Sequence, residues 1–589
     1  MRRVWVVLAV ALVAAACSAT SPDEIDGATT SMSLAPIETT SSTAPPATIA
    51  AVPRGGTVTL ANLAPDTLNP YGPGFGQANL RLTEAMYAGA TTREAGTQRL
   101  IPDLLTEVPT IENGGVVENP DGSLTIEYHI HQDAVWEDGV PVTGQDFAFT
   151  LDAILSTEGS PLTAGYDAID RASVVAEEKL FRFRLSQPTL GYDEMFPVVV
   201  PKHQVEGTEF ATAWTDRPWL TAGPFVVEEY VAGEHLRLVR NDAYWRRDEA
   251  GASLPYLDEV LIRLIPKGEY TAAFLAKDVD VFVADSAENI GELVPLSEAS
   301  GVEVSTYLRF SGNFEHLALQ VGPAGAEVSP DTLMADLRLR QAIAHAVDRV
   351  GLTEELLGEL GRPLDSYVEV FSPSLSTAAW SQYQHDPENA VALIAEVCAD
   401  LGRDCTADPI PVVLATMSGN EARMSALQQV ADQLEEVGLL ADIRPWDTSE
   451  RGNFDTINEC WDDGLCEASL WAWFNGPDLA SLVAFHEIFD PRDPWVQSYG
   501  WGLSEPSASS ASVARYIELV DEMRATVDPE ALRPLVAEAE QILADELVFI
   551  PLFAVSQGAA IWEGTIGNYR PDSADGDTWN IAEWYRADG

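Results

Sequence analysis

Lysine is nearly absent from this sequence: only Lys179, Lys202, Lys267 and Lys277 occur, and arginine supplies the remaining positive charge. That scarcity points to a GC-rich or salt-adapted source. Basic residues as a whole are few, 34 Lys and Arg against 92 Asp and Glu, so the formal net charge is -58. Nucleic acid is excluded as a partner, because neutralising phosphates requires clustered Lys and Arg. The excess carboxylates instead make a solvated, aggregation-resistant surface, and an acidic face also suits cationic ligands or a salty medium. No Gly-Lys dipeptide is present, so no phosphate-cradling loop exists and the chain is not an ATPase. A Gly-x-Ser-x-Gly elbow is missing, and the single His-Glu pair, His486-Glu487, lacks the second histidine of a zinc-protease helix. With so many carboxylates, paired acids arise by chance and carry no argument for a glycosidase. A mean hydropathy of -0.03 excludes a polytopic membrane protein.

Cysteine is also scarce, five in all. Cys398 with Cys405 and Cys460 with Cys466 would each close a short loop, which in an oxidising compartment favours two local disulfides. Zinc is the rival reading, although no Cys-x-x-Cys pair exists and no histidine lies near either pair in sequence. His129 and His131 alternate on a predicted strand and face one side, which permits a metal pair or a plain surface or packing role. No further ligand is indicated, and the sequence calls for neither metal nor cofactor.

The fifth cysteine, Cys17, sits at the end of a secretory layout. Arg2 and Arg3 precede an apolar run from Val4 to Ala16, too short to span a bilayer, that ends in Ala14-Ala15-Ala16 directly before Cys17. From Ser18 to Pro53 the chain is dominated by Ser, Thr, Ala and Pro without apolar periodicity, so it reads as a disordered tether. Its reach as a flexible coil is roughly 30 Å. Beyond it, the length of 589 residues exceeds what one hydrophobic core serves, and the 46% hydrophobic content is enough for two or more lobes.

Alternating and helical patterns then place the elements. Gly56 to Leu60, Leu124 to Ile130, Val260 to Ile265 and Pro411 to Ala415 read as strands. Leu339, Ile343, Ala346 and Val347 recur at helical spacing, and a second helix runs from about Asn420 to Val437 with Gly438 as its C-terminal cap. No internal repeat is visible. In Val135 to Thr150, VWEDGVPVTGQDFAFT, Trp136 is an apolar anchor and Asp138-Gly139 a tight turn. Thr143, with Asp146 three residues later, opens a helix whose apolar face is Phe147, Leu151 and Ile154.

This segment resembles the signature of the family 5 solute-binding proteins, the peptide and nickel class that feeds bacterial ABC importers. Further blocks in the family's order are similar: Leu100 to Glu107, Phe196 to His203, Thr221 to Phe225, Arg240 to Trp245, Pro255 to Val260, Leu337 to Arg349 and Val548 to Phe553. The resemblance implies an α/β, two-lobed periplasmic-binding-protein-like fold (class II, cluster C type) whose chain crosses between lobes twice. The first lobe is expected over residues 54–88, 222–305 and 553–589, with a small extra α/β domain inserted at 89–221, and the second lobe over 306–552. Residues 1–17 resemble a lipoprotein signal peptide whose Cys17 is lipidated; Ala14 departs from the commoner Leu or Val, and an ordinary secretion signal is the alternative. Stable anchoring takes more than one acyl chain, as a lipoprotein cysteine would carry.

The implied function is that of a monomeric, extracytoplasmic, membrane-anchored protein. It would capture an oligopeptide or related solute between two lobes and deliver it to the subunits of an ABC permease. Aromatic residues are dense from Trp446 to Trp501, and aromatic and polar cleft candidates are Tyr71, Phe75, Asn313, Trp461, Trp471, Trp473 and Asn475. In peptide-binding members the loop matching Leu470 to Pro477 carries an aspartate that pairs with the ligand's α-amino group. Aligning Asn475 and Pro477 puts Trp473 at that position, which places short peptides in doubt and favours sugars or apolar-faced ligands. Oligosaccharide or nickel-chelate binding is one alternative. A secreted hydrolase and a sensory or adhesion lipoprotein without transport are the others.

Overall fold

The computed structural model describes residues 52–72, 75, 77–94, 99–157, 165–187, 190–214, 217–284, 304–321, 333–368, 376–418, 420–446, 467–474, 476, 479–492, 501, 511–571 and 577–588. Cys17, the tether to residue 51, Cys460, Trp461, Cys466 and Asn475 lie outside these residues.

Among the described residues a mixed sheet of 11 strands runs from one half of the fold to the other. At one end Thr57–Asn62 lies parallel to Glu259–Leu264, which continues antiparallel through His235–Arg240 to Phe225–Val231. At the other end Ile410–Ala415 lies parallel to Leu439–Ile443 and to Ala468–Phe474. Two long antiparallel strands join these halves: an outgoing strand, Val304–Leu319, and a return strand, Phe549–Trp562. Their ladder slips register between Phe310 and Phe314, a bulge that twists the pair as it passes from one half to the other.

The apolar residues divide between two large clusters, one for each half of the sheet, and so form two lobes around separate cores. Alternation puts Val58 and Leu60 of the first strand, and Val412 and Leu414 of Ile410–Ala415, into these cores, as period-two burial requires. Residues 116–185 add a four-stranded sheet of their own, yet their core residues Ile126, Tyr128, Phe181 and Phe183 belong to the first lobe's cluster.

Carboxylates and an asparagine start the helices of the second lobe. Asp336, Asp386 and Asn420 each accept a backbone N–H of the first turn, from Arg338, Asn389 and Arg423 at 2.9–3.0 Å. The helix Glu421–Glu436 ends before Gly438, whose φ of +91° suits glycine. Cys398, in the helix Pro387–Leu401, is disulfide-bonded to Cys405. Among the described residues no helix is long and apolar enough to cross a membrane.

The segment from Val135 to Thr150 is a turn and a helix start. Trp136 is buried, Asp138 accepts the Val140 amide, and the helix Gly144–Ser156 begins at Thr143. The Asp146 carboxylate takes the Thr143 amide at 2.8 Å and hydroxyl at 3.0 Å on one oxygen, and the Lys202 amide at 2.9 Å on the other. It therefore ties this helix start to the first residue of the short helix Lys202–Val205 as well as closing the cap.

Candidate functional site

The strand Ala468–Phe474 runs antiparallel to the outgoing strand, with Asn313 opposite Phe474, Phe314 opposite Trp473 and His316 opposite Trp471. Period-two geometry places Trp471 and Trp473 on one face together with Phe314 and His316. The ring centroids of the two tryptophans are 4.6 Å apart, and His316 lies 5.3 Å from Trp471 and 6.3 Å from Trp473. Phe485, from the helix Leu479–Ile488, closes edge-on over Trp473 at 6.1 Å. Trp471 is 7% exposed, whereas Trp473 is half-buried. The strand ends where the ladder of the crossing pair slips, so the aromatic group stands at the passage between the lobes.

His316 is fully buried and neither ring nitrogen makes a hydrogen bond of good geometry. Burial pushes its pKa well below the usual histidine range and the Arg423 charge adds to this, while the nearby Trp471 backbone opposes it only in part. On the opposite face of the same strand Glu315 takes three hydrogen bonds from Arg423 at 2.9–3.0 Å, both side chains nearly buried. That charge pair fixes the strand to the helix Glu421–Glu436.

Across the passage, Tyr307 of the outgoing strand meets Tyr569 edge-on at 5.2 Å, and the Arg309 guanidinium donates to the Pro571 carbonyl at 3.2 Å. Burial raises the Tyr307 hydroxyl pKa. Phe314, His316, Trp471 and Phe485 are buried in the second lobe, so Trp473, half-buried at the end of the strand, is the ring of this group that a solute can reach.

Other predicted residues fall elsewhere. Asn313 is half-buried within the bulge of the outgoing strand, and Phe75 is half-buried after a turn in which its amide donates to the Gly72 carbonyl at 3.2 Å. Tyr71 is fully buried: its ring packs 6.2 Å from Phe210 and its hydroxyl donates to the Val198 carbonyl, so it presents no free face. His131 stacks on Trp245 at 4.4 Å and His129 pairs with Glu127. Among the described residues no group of three or more His, Cys, Asp and Glu side chains is placed to hold a metal.

His486 is held between the hydroxyls of Tyr367 at 2.8 Å and Tyr516 at 2.9 Å in the second core, and burial takes its pKa to about 3. His316 and the Glu315–Arg423 pair escaped sequence reasoning because only the strand register sets His316 opposite Trp471 and turns Glu315 to the other face. A cavity of about 530 Å³, walled by Glu84, Tyr87, Asp103, Tyr244, Arg246 and Trp579, lies within first-lobe elements and shares no residue with the aromatic group.

Comparison with known proteins defines the class. Residues 99–485 match the bacterial extracellular solute-binding proteins, family 5, and the chain belongs to that family. It is 24% identical over 354 residues to a probable ABC transporter-binding protein of Deinococcus radiodurans, covering 54% of this chain and 58% of that one. Similarity to the oligopeptide-binding protein AppA of Bacillus subtilis is 23% over 344 residues, 55% of this chain and 58% of the relative. The chain therefore spans less than two thirds of the length of these relatives.

Among solved structures, the ABC transporter substrate-binding protein CtaP of Listeria monocytogenes superposes with a TM-score of 0.71 at 19% identity, over 91% of this chain and 100% of that one. The periplasmic EDTA-binding protein EppA gives 0.69 at 19% identity, over 91% of this chain and 98% of its own. These likenesses fix the two-lobed fold.

Proposed function

We propose that this protein is the lipid-anchored, extracytoplasmic solute-binding component of an ABC importer, closing two lobes around a solute and presenting it to a permease. The observation that carries the reading is the aromatic strand Ala468–Phe474, which ends beside the two long strands joining the lobes of a family 5 solute-binding chain. Closure about that pair lets contacts from both lobes stabilise the ligand-bound state. Trp473 and Trp471 form the ligand platform, with Phe75, Asn313, Trp461 and Asn475 as further contacts. Cys17 carries the lipid, residues 18–53 form the tether, and residues 89–221 act as a small domain on the first lobe (54–88, 222–305, 553–589), opposite a second lobe of 306–552.

Ligand chemistry follows from the platform. The indole of Trp473, with Trp471 packed behind it, favours oligopeptides or related solutes with apolar faces over ligands held by a charged amino end. A thermal-shift screen of oligopeptides, oligosaccharides and metal chelates tests this, because a ligand selective for the folded state raises the melting temperature. A hit that also compacts the protein in solution scattering, and that is weakened by Trp473→Ala, supports the reading. If no compound in the three classes shifts melting and none compacts the protein, solute binding is wrong.

A further inference from the structure

We propose that Leu190 and Gly191 form a latch carried by the segment 89–221, which sets how far the two lobes close. The two residues follow the strand Leu180–Leu185 and precede the short turn Tyr192–Glu194, in a segment whose core belongs to the first lobe. Yet Leu190 packs against the apolar cluster of the second lobe, as does Leu479. Gly191 approaches the helix Leu479–Ile488 so closely that a Cβ there would stand 3.3 Å from the Ala480 Cβ. Its φ of +74° lies in the left-handed region that favours glycine. Both approach and backbone conformation keep this position without a side chain.

The helix touched is the one that follows the aromatic strand, and its Phe485 covers Trp473. The latch therefore bears on the same element that covers the candidate platform. A separate contact joins the lobes: Val527, between the helices Ala511–Ala525 and Pro529–Glu546, is buried in the first lobe's cluster. Closure thus has a hydrophobic grip at Leu190 and a steric stop at Gly191 against Ala480. Side chains there act by setting the lobe separation, and so are positioning residues rather than ligand contacts.

The purpose of the latch rests on the solute-binding reading, but its test does not, because lobe separation is read without ligand. Solution scattering of the full chain gives the radius of gyration of the parent, of Ala480→Phe and of Leu190→Ser, with circular dichroism confirming that each is folded. Bulk at 480 props the lobes apart and a polar residue at 190 removes the grip, so both variants are expected to shift to a larger radius. Ala480→Gly, which deletes the Cβ that acts as the stop, is expected to keep the parent radius or fall below it, and a radius above the parent's overturns the stop. Should Ala480→Phe fail to fold, Leu190→Ser decides alone. Folded Leu190→Ser with the parent radius overturns the proposal, whatever the ligand screen finds.

Discussion

At the scale of single residues, His316 and His486 are buried bases whose neutral forms the fold requires. In the unfolded chain each takes up a proton near pH 6.5, while in the folded chain each does so only well below that, at about 3 for His486. A base with a lowered folded pKa favours unfolding under acid: the unfolded state then binds more protons, so stability rises with pH. Above pH 6.5 the contribution is intact, and below it about 1.4 kcal/mol is lost per pH unit for each histidine. Urea titrations of His316→Phe between pH 7 and 5 should show about half the parent's histidine-linked loss; an unchanged slope would show that His316 is protonated in the folded state.

The Glu315–Arg423 pair makes a different demand, because removing one partner strands a nearly buried charge. Glu315→Ala should cost about 3–5 kcal/mol in denaturant unfolding, while replacing both residues by apolar ones of similar volume should recover much of that loss. Equal losses in the single and double variants would sink this account.

At the scale of elements, much was legible in the sequence. Alternation located the strands Thr57–Asn62, Glu259–Leu264 and Ile410–Ala415, and the helix Glu421–Glu436 begins one residue after its Asn420 signal and ends two before Gly438. These features are local: a cap or a period is written in neighbouring residues. Pairing register is not local, and so nothing in the chain near His316 reveals that Trp471 stands opposite. Val548 to Phe553 was readable as a return crossing, but the strand runs on to Trp562, since its second half pairs with Val281–Ala284 of the first lobe. Tyr71 reads as a cleft residue, yet Asn69 anchors its loop to the Phe210 carbonyl and the ring is fully buried.

The cap at the start of Gly144–Ser156 yields a prediction at this scale. Asp146→Ala removes the acceptor for the Thr143 and Lys202 amides and should cost about 1–2 kcal/mol, seen as an earlier midpoint in chemical unfolding. Asp146→Asn, which keeps one acceptor oxygen, should lose less; equal losses would mean that the carboxylate, not the cap geometry, matters.

For the whole molecule, the net charge of -58 sets up self-repulsion that the compact state feels more than the unfolded chain. Raising salt from about 0.05 to 0.5 M shortens the screening length several-fold, so the melting temperature should climb. A flat or falling melting curve over that range would show that local ion pairs, such as Arg515 with Glu518, Glu522 and Glu538, already neutralise the repulsion. At the same scale, Cys17→Ser should move the protein from the membrane fraction to the soluble one, and retention of the variant on membranes would refute the lipid anchor.

The long strands Val304–Leu319 and Phe549–Trp562 connect the lobes through a ladder that is hydrogen-bonded on both sides of its bulge. Such a connection resists bending away from its plane and yields most readily to torsion about its own length. Opening should therefore resemble the unwinding of a ribbon more than the swing of a door, with one lobe rotating about the strand axis. The most distant tips of the lobes would sweep far while the tryptophans beside the axis scarcely move. A solute gripped there would be released by the departure of the opposite wall, its own platform remaining in place.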